Sequence, residues 1–182
     1  MARKGTAHAR LAAAIGVAAC LAANLATAEN ASEAATPSQV IEAFGLVGTW
    51  SPDCAGPIRV IYATQPGGAA TASVVIRQTE IAASEIREIV ELGPARIKWT
   101  SIMKAWSLPD QPHQSWMPEP GEIWETVIEK LGPKIRPIQS IRQDGRKILV
   151  KDGFIYDANE SVPGGWRNTL KATIPLERCP DL

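Results

Sequence analysis

The sequence predicts an all-β protein: an antiparallel up-and-down barrel of about eight strands with one short N-terminal helix, the same strands allowing a β-sandwich as the alternative. Three observations predict it. From Ile58 onward, apolar and often β-branched residues alternate with polar ones at period two, which is how half-buried strands read. Turn-forming groups cut the chain at short intervals, at Pro66-Gly67-Gly68, Gly93-Pro94, Gly132-Pro133, Asp144-Gly145 and Asp152-Gly153, and such punctuation marks hairpins in meander order. Helical clustering stands out once, where Val40, Ile41, Phe44 and Leu46 follow Pro37-Ser38-Gln39 with Ser38 as candidate cap.

The chain opens with Arg3, Lys4 and Arg10, runs apolar from Leu11 to Leu25, and reaches Ala26-Thr27-Ala28 before Glu29. That order is a secretory signal peptide, and the apolar run is shorter than the roughly 18 to 20 residues that span a bilayer. Residues 1–28 are thus expected to be a leader, 29–38 a disordered tether of small and polar residues, and 39–182 a single barrel domain. Val17-Ala18-Ala19-Cys20 resembles a bacterial lipobox, so a lipid anchor at Cys20 is a second processing route, although the apolar run continues past it. The expected location is the periplasm or the exterior. Cleavage after Ala28 leaves 154 of the 182 residues and removes three basic and no acidic ones from 19 of each, for a mature charge of −3. A surface so close to neutral gives no electrostatic case for nucleic acid or anionic membrane.

Taken in order, Gly48-Thr49-Trp50 puts a wide indole beside a residue that lets backbone approach, and Pro52, Gly56 and Pro57 prevent a helix from running through. Ile58 to Tyr62 and Ser73 to Arg77 read as strands. Thr79 to Leu92 fits either a helix face through Ile86, Ile89 and Val90 or a strand face through Ile86, Val90 and Leu92, and the strand is preferred. Arg96 to Ile102 alternates well, with Ile97 and Trp99 on one face. Glu122 to Lys130, Lys134 to Gln143, Arg146 to Lys151 and Gly153 to Tyr156 follow, with Pro137 marking a bulge or an edge. Thr169 to Leu176 is expected to close the core with Leu170, Ala172, Ile174 and Leu176.

Without Cys20 the domain holds two cysteines, Cys54 and Cys179. In an oxidising compartment they form either a disulfide tying the first strand to the last or a pair of buried thiols. With Gly48-Thr49-Trp50 after a short helix, a meander of strands, and Arg178 close to the end, the chain resembles a lipocalin or broader calycin. The resemblance implies that Trp50 closes the barrel floor and that Arg178 packs across its indole. The second and third lipocalin signatures are not recognisable, nor is a helix after the last strand. The chain is also similar to small exported bacterial proteins with Gly-Thr-Trp-x-x-x-Cys early and Arg-Cys near the end, which implies export and a disulfide.

Chemistry-bearing groups are sparse. His113 is the one histidine after the leader, with Asp110 and Ser115 nearby but no nucleophile-elbow context. No catalytic or metal-ligating residues and no cofactor are assigned. Glu119, Glu122 and Glu125 read either as paired carboxylates or as a solvated face beside Trp124, and Pro163-Gly164-Gly165-Trp166 lacks the lysine of a phosphate loop. Tryptophan is over-used, with six against two Phe and two Tyr. Met103 to Gly121 reads as a long loop, either a lid whose Trp106, Trp116 and Met117 join Trp99 and Trp124 around an apolar ligand, or a flap whose indoles cap the core. The expected function is non-catalytic binding of a small apolar ligand. The alternative is a filled barrel that docks a periplasmic protein, as small bacterial protease inhibitors of lipocalin-like topology do.

Overall fold

The computed structural model describes residues 34–107, 117–155 and 171–180. After helix α1 (Pro37–Ala43) come strands β1 (Gly48–Ser51), β2 (Ile58–Thr64), β3 (Ala70–Ile76), β4 (Thr79–Gly93), β5 (Arg96–Trp106), β6 (Ile123–Leu131) and β7 (Lys134–Arg142). They are followed by β8 (Ile148–Lys151), β9 (Phe154–Ile155), β10 (Lys171–Ala172) and β11 (Leu176–Arg178). β1 to β7 pair successively, and β11 lies between β7 and β1, so eight antiparallel strands close into a barrel. That closure decides for the barrel over the sandwich. Two registers share one edge of β7: Lys134 and Ile135 pair with β11, while Ser140 and Ile141 pair with β8, from which β9 and β10 continue outward.

α1 closes one end, here called the base. Its cap is Thr36 rather than Ser38, in a capping box with Gln39, and Pro37 takes the first turn where no N–H is needed. The helix therefore begins inside the stretch expected to be a tether. The Ser38 hydroxyl instead donates to the Ala69 carbonyl, and Gly68 (φ +83°) lies so close to Thr36 that a Cβ there would sit 2.7 Å from it. Ile41 and Leu46 are fully buried against Trp50, Ile86, Ile97, Ile135 and Leu176. The Trp50 indole N–H donates to the Leu46 carbonyl at 2.7 Å, which satisfies the polar edge of a ring otherwise in apolar surroundings. Arg178 is the register partner of Trp50, and its guanidinium lies over Gly48 (φ +131°), where a Cβ would stand 3.2 Å from Nε.

Cys54 and Cys179 form a disulfide with Cα atoms 5.5 Å apart. Cys179 directly follows β11, and its N–H donates to the Thr49 carbonyl. The loop from Pro52 to Pro57 is turned back on itself by Ser51, whose buried hydroxyl lies 2.6 and 2.7 Å from the carbonyls of Asp53 and Ile58.

Three expectations need correcting, and one left open is decided. Val90 and Leu92 are 53% and 52% exposed while Ile89 packs on the core, because a register shift between Ile86 and Glu88 flips the phase of β4. Ile174 is 60% exposed, and β10 and β11 are separate short strands. Between them Thr173 donates its N–H to the Gly153 carbonyl and Pro175 has no N–H to give. Met103 to Trp106 belongs to β5 and not to the loop, held by pairing with Ala82 to Ser84. Pro137 sits at the register shift between Val127 and Ile128 of an interior strand, so the bulge is the correct alternative.

The disulfide closes a loop of 125 residues, for which the chain-entropy model gives about 4 to 5 kcal/mol. A Cys54→Ser/Cys179→Ser variant is expected to lose stability of about that size, read as a fall in urea midpoint with a slope equal to or steeper than the parent's, because the unlinked chain unfolds to a more exposed state. Parent protein treated with reductant should fall to the same midpoint.

Candidate functional site: a cavity at the rim end of the barrel

Eight strands enclose a space just wide enough for side chains to fill or for one small ligand. At the base the space is filled. Beyond it, Tyr62 and Trp99 meet edge to face with ring centroids 5.8 Å apart and planes at 77°, a favoured aromatic geometry. Both belong to the packed core and also form the floor of a cavity of about 260 Å³. Around them, β3 and β4 turn the small side chains of Ala72, Ala82 and Ser84 inward beside the large Trp99, Met103 and Trp124 of β5 and β6, and the short side chains leave space unfilled. Trp106, at the end of β5, completes this side.

No charged side chain is among the described residues lining the cavity. Its polar residues are neutral, with Ser73, Ser101, Thr126 and Ser140 lining it besides those whose bonds follow. The Ser84 hydroxyl donates to the Ala72 carbonyl at 3.3 Å, and the Trp124 indole N–H donates to Glu122 Oε2 at 3.3 Å. The Trp106 indole N–H is buried and has no partner. Burial alone pushes the Tyr62 pKa up, with no hydrogen bond contributing.

A network of charged side chains lies at the rim. Glu122 Oε1 accepts from Lys147 Nζ at 2.7 Å and from Arg142 at 2.6 Å, while Oε2 accepts from the Glu119 N–H at 2.9 Å. Arg142 also grips Asp144 through two bonds of 2.7 and 2.6 Å, and Lys147 Nζ donates to the Met117 carbonyl at 2.9 Å. This network ties 117–122 to the turn between β7 and β8. Burial acts to raise the Glu122 pKa, but the hydrogen bonds from Lys147, the Glu119 N–H and Arg142 outweigh it and hold the carboxyl at about 2. So strong an anion is a poor proton acceptor, and Glu125 faces Lys98 at 3.7 Å. The paired-carboxylate reading thus finds two separate ion-pair sites.

Of the residues expected around a ligand, Trp99, Trp106 and Trp124 line the cavity. Met117 is buried at 2% exposure but is not a lining residue, and Trp116 lies outside the described residues, as do His113 and Trp166. Sequence reasoning missed Tyr62 and the small residues. The signal for the latter was legible as Ala and Ser at alternate positions of β3 and β4. Among the described residues no group of three His, Cys, Asp or Glu is placed to hold a metal ion, and no helix is long and apolar enough to cross a membrane. No family model, curated protein or solved structure matches the chain.

Because the Glu122 pKa falls from 4.5 to about 2 on folding, its contribution is complete above the unfolded value and is lost as pH drops through the folded one. Thermal unfolding should show stability falling between about pH 4.5 and 2. Glu122→Gln is expected to flatten that part of the profile and to cost about 1 to 3 kcal/mol near neutral pH, since Lys147, only 11% exposed, loses the nearer of its two carboxylate partners and keeps Glu119 at 3.2 Å.

Proposed function

We propose that the chain is an exported, non-catalytic, lipocalin-like binding protein that holds a small apolar ligand in the rim end of its barrel. The observation that carries this reading is the interior itself: side chains fill the base and leave about 260 Å³ beyond Tyr62 and Trp99. An apolar, concave site with few polar groups is the usual form of a small-molecule pocket. Export is supported by the leader-like N-terminus and by the Cys54–Cys179 disulfide, a bond that persists in oxidising compartments. Placement of Trp50 at the base, beside Gly48 and in register with Arg178, supports the lipocalin likeness. The docking alternative supposes a filled barrel, and the cavity weighs against it.

Titration with naphthalene is expected to change tryptophan emission saturably at one site per chain, through Trp99, Trp106 and Trp124. Ala72→Leu, which places a larger side chain in the cavity, should abolish that change and leave the thermal midpoint equal or higher. Unaltered emission in the parent, with no heat of binding by calorimetry, would rule the reading out.

A further inference from the structure

The size of the cavity and the character of its polar groups narrow the ligand class, on the premise that the cavity is the binding site. An engineered apolar cavity of about 150 Å³ holds benzene. In proportion, 260 Å³ takes about ten non-hydrogen atoms, which suits a substituted single ring or a fused pair.

Polarity narrows it further. Tyr62 on the floor and Trp106 toward the rim both line the cavity, and neither donates a side-chain hydrogen bond among the described residues; of the two, it is the Trp106 indole N–H that is buried without a partner. Buried donors without acceptors are costly and uncommon in folded proteins. The indole N–H can only donate, and the phenol keeps its proton because burial disfavours the phenolate. Nothing among the described lining residues is cationic, so a carboxylate or phosphate inside would be desolvated without a counter-charge.

We infer that the cavity selects a compact, uncharged aromatic compound bearing a carbonyl- or ether-type oxygen that accepts from Tyr62 or Trp106. The ligand is bound by apolar contact and identified by that acceptor.

Three probes of equal size separate the contributions: cumene, acetophenone and benzoate. Each is titrated by calorimetry at neutral pH into the parent and into Tyr62→Phe/Trp106→Phe. In the parent, acetophenone should bind at least about 10-fold more tightly than benzoate. In the double variant, affinity for acetophenone relative to cumene should fall about 3- to 10-fold. Changes in ring volume act on both probes and cancel in that ratio. Benzoate binding as tightly as acetophenone, or an unchanged ratio, would each overturn this inference while leaving the cavity reading intact. Should neither cumene nor acetophenone bind the parent, that reading falls and takes the inference with it.

Discussion

Closure of the ring is the constraint from which the rest follows. Strands without edges need no covering partner, yet the space they enclose must be occupied or the walls lose their contacts. α1 resolves this at the base: its short amphipathic turn brings Ile41, Phe44 and Leu46 under the barrel and presents the Leu46 carbonyl to Trp50. The indole can then be buried without an orphaned N–H, and Ile86, Ile97, Ile135 and Leu176 pack around it. Tyr62 and Trp99 end that packed region. The cavity begins where the side chains become too short to meet.

Closure also has a weak point. β2 and β3 share seven register pairs, whereas β11 shares two with β1 and two with β7. Ladder hydrogen bonds hold this seam less firmly than its neighbours. The disulfide is placed at that seam, because Cys179 directly follows β11 and Cys54 belongs to the connection leaving β1. Arg178 adds to the same seam by lying over Gly48. A lysine-to-glutamate pair, Lys134 with Glu177 at 3.6 Å, joins β7 to β11, but with both side chains nearly half exposed it contributes little. The covalent tie is therefore the main element that makes the ring a ring.

Much of this was legible in the sequence, and the failures share one cause. Turn residues at Gly93-Pro94, Gly132-Pro133 and Asp144-Gly145 located hairpins correctly, since turn chemistry is local. Phase was not local. A register shift after Ile86 exchanged Ile89 for Val90 and Leu92 on the inner face, and alternation by itself carries no mark of where a bulge falls. Ile174 failed similarly, because Thr173 is drawn to Gly153 by a bond between residues distant in sequence. The cavity required knowing which small residues faced which large ones. Ala72 and Trp99 are 27 residues apart in the chain, and only the assembled barrel sets them across a common space. The tryptophan excess drew attention to Trp99, Trp106 and Trp124, which line the cavity, but Trp106 and Trp124 are strand residues, and of these two only Trp106 lay in the segment taken for a loop.

The separation of charge from cavity is itself a design consequence. Glu122, Arg142, Lys147 and Asp144 gather at the rim, where water can share their solvation, while the described cavity walls a few residues away carry none. The two regions meet at Trp124, which lines the cavity with its ring and gives its N–H to Glu122. The rim network thus fixes the orientation of a wall indole, a role that a neutral side chain would fill less strongly because bonds to an ionised acceptor are the stronger kind. Trp106, across the same region, has no such partner. One indole of the cavity wall is therefore fixed by a charged acceptor, while the other is held by packing alone with its N–H buried and unaccepted.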